Sequence, residues 1–263
     1  MQLAKQLRLA AAISLTIGAT LATQAVASPL FASGIPADWN CVGSCGTGVA
    51  DGVVSLAPDS TTPYGWVSTN GGSNGVGLSG LIGTTGSVLR SSTFTAGAGD
   101  LLSFDFNYVT SDGSGYADYA WSRLLNADYE EVAILFTART TPDGFVVPGF
   151  GMPLPAADLD PEEVMIIGGA PQWSQLGGSS NTCYNSGCGY TGWVEANYNI
   201  LGAGSYILEF GVVNWSDSAY QSGMAFDGIL VGGKPIESVP APLSVALLAV
   251  GLLGLGAARK RQA

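Results

Sequence analysis

The stretch DLLSFDFNYV at residues 100–109 alternates strictly, with Leu102, Phe104, Phe106 and Tyr108 on one face and Ser103, Asp105 and Asn107 on the other. Successive side chains of a strand point to opposite sides, so the pattern predicts a strand with one face in a core. The same period returns in TGWVEANYNI, which lines up Val194, Ala196, Tyr198 and Ile200, and in SYILEFGVV, which lines up Tyr206, Leu208, Phe210 and Val212. A short Gly-bearing connection at 201–204 joins these two runs and predicts a hairpin. Further strands are expected at GVVSLA (52–57), YGWVST (64–69), GSVLRSSTF (86–94), YADYAWSRLL (116–125), EEVAILFTAR (130–139) and GMAFDGILV (223–231). Many short strands with Gly-rich turns and no helical period predict an all-β fold, an antiparallel β-sandwich of jelly-roll type.

The two ends of the chain break this period. The first has Lys5 and Arg8, then an apolar stretch over 9–21, then Ala25-Val26-Ala27 before Ser28. That is the three-part layout of a secretory signal peptide, with cleavage expected between Ala27 and Ser28. At the other end, residues 243–258 are apolar or small without interruption. As a helix this run spans about 24 Å, against a hydrocarbon core of about 30 Å. Pro240 and Pro242 precede it, and Arg259, Lys260 and Arg261 follow, where cytoplasmic positive charge would hold the end of a single transmembrane helix. The chain therefore divides into a signal peptide (1–27), a sandwich ectodomain (28–237) and a membrane tail (238–263).

Charge narrows the partners. Only 11% of the 263 residues are charged, and 38 are Gly, so the chain is turn-rich and weakly charged beside an ordinary soluble domain. Five of the nine Lys and Arg lie at the ends, which leaves Arg90, Arg123, Arg139 and Lys234 against all twenty acids in the ectodomain, or 4 − 20 = −16. A surface this acidic repels phosphate backbones and anionic lipid, so nucleic acid is excluded as a partner. Divalent cations and neutral glycans suit it better. The absence of His removes the commonest general base and metal ligand, and with it most Ser-His and zinc chemistry.

Export gives the cysteines a meaning, because thiols in an oxidising compartment pair. They form two tight couples, Cys41 with Cys45 in CVGSC and Cys183 with Cys188 in CYNSGC. Three pairings exist in principle, and local pairing is expected because the intervening Gly and Ser permit the sharp turns a bridge needs.

The tail resembles the PEP-CTERM sorting signal of bacterial exosortase substrates. The resemblance rests on Val239, Pro240 and Pro242, then the apolar run 243–258, then Arg259, Lys260 and Arg261; Ala241 stands where the motif usually has Glu, as in variant forms of the signal. It implies an exosortase as partner and removal of the tail after sorting. The body is similar to the β-sandwich ectodomains often joined to such tails, on FNYVTSDGSGYADYAWSRLL, CGYTGWVEANYNI and FGVVNWSDSAYQSGMAFDGI. This implies a surface or matrix component without a known enzymatic activity. AFDGI is also similar to the final strand of carbohydrate-binding jelly rolls, where an Asp often ligates a structural Ca²⁺. Asp227 is then the metal candidate, with Asp51 on an early strand beside it, and Ca²⁺ the one cofactor suggested.

Asp112 and Asp118 in SDGSGYAD are further Ca²⁺ candidates near a turn, with a plain turn the favoured reading for Asp112, and the acidic stretches at 126–131 and 156–163 read as solvated loops. Aromatic rings that stack on sugars are a further possibility, with Trp193 and Trp215 expected to project outward more than the other tryptophans. The first expectation is a non-catalytic, exosortase-sorted protein of the bacterial cell envelope, surface or exopolysaccharide matrix, bound to the membrane by its tail until processing. The alternative is a calcium-stabilised carbohydrate-binding module with extracellular polysaccharide as partner. An exported glycosidase ranks last, because no motif sets an acid opposite a nucleophile.

Overall fold

The alternating runs become strands wherever a partner lies on each side. In chain order the principal ones are β1 (Asn40–Val42), β2 (Ser44–Gly48), β3 (Tyr64–Ser68), β4 (Thr85–Arg90), β5 (Leu101–Thr110), β6 (Tyr119–Asn126), β7 (Glu131–Ala138), β8 (Val194–Asn199), β9 (Gly204–Val213) and β10 (Ser222–Val231). The computed structural model describes residues 29–236. The expected signal peptide with its Ala27–Ser28 boundary lies outside the described residues. So does the tail with Val239, Pro240, Pro242, the run 243–258 and Arg259, Lys260 and Arg261. Among the described residues no helix is long and apolar enough to cross a membrane.

Two antiparallel sheets face each other as a β-sandwich. One runs β1-β4-β9-β6-β7, and the other runs from the short strand Asp158–Asp160 through β8, β5, β10 and β3 to β2. Their inner faces meet on phenylalanines. Phe106 of β5 stacks on Phe136 of β7 with centroids 3.8 Å apart, and Phe210 of β9 stacks on Phe226 of β10 at 4.0 Å. Phe104 meets Phe210 edge-on at 5.2 Å and joins the two stacks. All five rings are buried, so each contributes roughly 1.5–3 kcal/mol of transfer free energy before any aromatic geometry is counted.

The predicted hairpin is absent. β8 pairs with β5 in one sheet while β9 lies between β4 and β6 in the other, so residues 200–203 carry the chain across the sandwich. The alternation in both runs was legible because both present apolar side chains to the same interior. Period alone cannot tell two neighbours in one sheet from two strands facing each other across a core. The strand expected at 52–57 is also missing. Apart from a bridge between Asp51 and Val54, that segment folds over the outer face of the second sheet, where Val53 N–H donates to the Gln172 carbonyl at 2.8 Å.

That outer face carries a second apolar cluster. Val54, Tyr64, Val109, Trp173, Leu176 and Ala225 are buried together, and Trp173 Nε1 donates to the Tyr64 hydroxyl at 3.1 Å. β5 is therefore buried on both faces toward its C-terminal end, where its sequence alone predicts exposure. Trp173 can lie this close because Gly223 has no side chain; a Cβ there would fall 2.5 Å from its ring.

The outer face of the first sheet holds a buried ion cluster. Glu209 of β9 is fully buried and sits in register with Arg90 on one side and Arg123 on the other. Arg90 Nε donates to it at 2.7 Å, Arg123 Nε at 2.6 Å and Trp121 Nε1 at 2.8 Å.

Both local disulfides are present. Cys41–Cys45 spans 6.2 Å between Cα atoms and closes the corner at which the chain leaves β1 in one sheet for β2 in the other. Gly43, with φ 87°, makes that corner. Cys183–Cys188 spans 5.7 Å and closes an outer loop.

Removing one ring of the stacks or the buried carboxylate should cost the fold most. Phe210→Ala and Glu209→Ala are each expected to lower unfolding free energy by about 3–5 kcal/mol, the first by leaving a cavity and the second by leaving two guanidiniums facing each other. Val132→Ser on the exposed part of β7 should stay within about 0.5 kcal/mol. Urea unfolding followed by tryptophan fluorescence measures all three.

Candidate functional site

Three acids form a row across the outer face of the second sheet. Because Phe104, Phe106 and Phe226 point inward, their neighbours Asp105 and Asp227 point outward, and the register places Asp227 beside Asp105 and Asp105 beside Glu195. Neighbouring strands pack about 4.8 Å apart, so the three residues are lateral neighbours on one face. Asp59 comes in from the loop before β3, and the group lines a hollow of about 460 Å³ together with Ser60, Thr62 and Gly228. Gly228, at φ 66°, brings the backbone against Asp105; a Cβ there would lie 2.8 Å from Asp105 Oδ2.

No cation answers this row. Burial, then the neighbouring Glu195, Asp227 and Asp59, pushes the Asp105 carboxyl up to about 6. Asp227 is raised as well, chiefly by burial, although Ser60 Oγ donates to its Oδ2 at 2.9 Å and the Gly228 N–H opposes the rise. Asp105 and Asp227 therefore take up protons more readily than free carboxyls do.

The other expected site residues fall elsewhere. Asp51 is not beside Asp227: it lines a separate groove with Gly48, Pro63 and Gln175, and its Oδ2 accepts the Ser174 N–H at 2.8 Å. The cause is the missing strand at 52–57. The folded-back segment carries Asp51 toward the helical turn Ser174–Ser179 and instead delivers Ser60 to Asp227 and Asp59 to the neighbourhood of Asp105. Ca²⁺ requires six to eight oxygens converging on one point. Among the described residues no three Asp, Glu or Cys side chains are placed to hold a metal.

Trp193 and Trp215 do not project freely. Trp193 is half-buried beside the second apolar cluster, with its ring edge against Tyr64 and Nε1 donating to the Ser55 carbonyl at 3.2 Å. Trp215 is half-buried as well, with the Arg139 guanidinium 3.6 Å above its ring and Tyr119 against it. Asp112 behaves as a turn residue, accepting the Gly113 N–H at 2.8 Å. Asp118 is fully buried and ties strand to loop, accepting from Ser222 Oγ at 2.7 Å and from the Trp215 N–H at 3.0 Å.

Asp105, Glu195 and Asp59 had no place among the expected site residues. The first two were visible as polar positions opposite an apolar face, but strand pairing, which makes them a row, leaves no local signal.

No protein-family model matches the chain, and no curated protein matches it. Solved structures match at low identity. The K1 cleaved adhesin domain of Lys-gingipain from Porphyromonas gingivalis W83 is 14% identical, covering 76% of this chain and 94% of its own, at a TM-score of 0.38. The K3 cleaved adhesin domain of the same protein is 12% identical over the same shares, also at 0.38. Tailspike protein 4 of bacteriophage CBA120 is 11% identical over 74% of this chain and 19% of its own, at 0.31. Likenesses this distant transfer no function to the chain.

The acid row makes stability depend on pH. A carboxyl raised in the folded state favours the protonated form, so its contribution is full below the unfolded pKa near 4 and is lost as pH rises through about 6. Melting temperature should fall between pH 4 and pH 7. Asp105→Asn should raise stability at pH 7 by on the order of 1 kcal/mol, discounted for partial exposure, and leave pH 4 unchanged. An equal gain at both pH values would show that proton binding at Asp105 is not the cause.

Proposed function

We propose that the chain is an exported, non-catalytic β-sandwich that an exosortase sorts to the cell surface or exopolysaccharide matrix of a bacterium. The observation that carries this reading is the pair of local disulfides, with no free cysteine among the described residues, behind a signal-peptide layout at the start of the chain. Bridges of this kind persist in oxidising compartments and are rare in the cytosol. The order Val-Pro-Ala-Pro, apolar run and Arg-Lys-Arg at the end supports sorting by a membrane enzyme. A run of about 24 Å is short for a permanent span and suits a helix held only until cleavage.

The absence of His supports a role without acyl or phosphoryl turnover. The calcium-stabilised carbohydrate-binding module is the less supported reading, because Asp51 and Asp227 line separate hollows and Trp193 and Trp215 are engaged within the fold.

Protein recovered from the native host should lack residues 243–263 and end between Val239 and Pro242, as read by intact mass. In a strain without its exosortase the tail should remain. Arg259 to Ala263 still attached in surface-exposed protein from the normal strain would replace sorting with simple anchoring. The recovered protein should release no reducing sugar from a polysaccharide panel; reproducible release would make it a glycosidase.

A further inference from the structure

One end of the sandwich carries three tyrosines in mutual contact that the fold does not bury. Tyr116, Tyr184 and Tyr220 are 47%, 47% and 36% exposed, although they come from three separate loops. Tyr184 is central: its ring meets Tyr116 at 5.5 Å, edge-on, and Tyr220 at 5.1 Å, tilted.

The loops that bear them are fixed independently of the rings. The Tyr184 N–H donates to the Ser111 carbonyl at 3.0 Å, Ser114 N–H to the Ser186 carbonyl at 2.8 Å, and Ser111 Oγ to the Gln221 carbonyl at 2.8 Å. Cys183–Cys188 closes the loop around Tyr184. Asp118 anchors both ends of the loop that carries Tyr220, through Trp215 and Ser222. Gly113 lets the first two loops touch, since a Cβ there would fall 2.6 Å from Asn185. With the loops held this way, the tyrosines are not needed to close them. Tyr220 also has φ 54°, a left-handed conformation that costs a bulky residue energy and that concentrates at sites of function.

We infer that Tyr116, Tyr184 and Tyr220 form a binding platform for a neutral polysaccharide of hexopyranose units. Aromatic faces pack on the apolar faces of sugar rings while phenol hydroxyls, and the exposed Asn185, Ser186 and Ser218 at the rim, meet sugar hydroxyls. Charge selects within the class. The three loops (111–118, 180–188 and 214–221) contain no Lys or Arg, and of their acids Asp112 and Asp118 are buried while Asp217 is exposed, so a uronate or sulfated polymer finds no cation in them and meets one exposed carboxylate. Size argues against a protein partner. Three half-exposed tyrosines offer on the order of 300 Å² of ring surface, against about 800 Å² per side in a stable protein interface. Pre-fixed loops lower the entropy a ligand must overcome.

This assignment deepens the surface or matrix role by naming a ligand class, and its failure would leave the processing result untouched. The test is affinity electrophoresis of the full chain in mild detergent, through gels containing laminarin, mannan or hydroxyethylcellulose, with polygalacturonate as the acidic counterpart. At least one neutral polymer should retard the protein. Tyr184→Ala should weaken that retardation about tenfold, and Tyr184→Phe, which keeps the ring, by no more than about threefold. Leu201→Ser, which removes an exposed apolar side chain 84% open to solvent elsewhere on the surface, serves as control and should match the parent. Near-UV circular dichroism confirms that each variant is folded. No retardation by any neutral polymer, retardation by polygalacturonate alone, or unchanged retardation of folded Tyr184→Ala would each overturn the platform.

Discussion

Phe106 on Phe136 and Phe210 on Phe226, with Phe104 between, set the separation and alignment of the two sheets. Stacked rings tolerate little sliding, so the inward positions of β5, β7, β9 and β10 are fixed together. The outward positions follow from that. Asp105 faces out because Phe104 and Phe106 face in, Glu209 because Leu208 and Phe210 do, and Asp227 because Phe226 does. The polar chemistry on both outer surfaces is thus a consequence of the apolar register between them.

What differs between the two outer surfaces is the supply of cations. Residues 28–237 hold four, and the Glu209 cluster takes Arg90 and Arg123. Arg139 is buried over Trp215, with Nε donating to the Ala117 carbonyl at 2.7 Å. Glu195, Asp105 and Asp227 repeat the three-strand geometry of Arg90, Glu209 and Arg123 without any positive partner. One row is matched by ion pairing; in the other, burial and like charge raise the carboxyls of Asp105 and Asp227.

Sequence made the strands legible wherever burial is one-sided. The inward residues of β5, β8 and β9 were readable from period, β10 only as a strand, and both disulfides from spacing. Long-range pairing was not, which is why the 194–213 stretch read as a hairpin and why Asp51 was assigned beside Asp227. Glycine misled in a different way. Many of the 38 suggested turns, yet Gly46 lies opposite Trp66 and Gly211 opposite Trp121 in mid-strand, where the missing side chain makes room for an indole. The tyrosine cluster was illegible because its members come from loops about 70 and 35 residues apart, joined by hydrogen bonds that carry no sequence signature.

The engagement of the arginines has a consequence for survival outside the cell. Trypsin-like proteases cut after Lys and Arg and need roughly ten residues of chain unfolded around the bond to do so. Arg90 and Arg123 lie in strands paired on both sides, and Arg139 is only 6% exposed. Lys234 is exposed, but Pro235 follows it and blocks cleavage at that bond. Between residues 29 and 236 such an enzyme finds no bond to cut until the sandwich opens, so digestion in a protease-rich surrounding is limited by unfolding rather than by surface encounter.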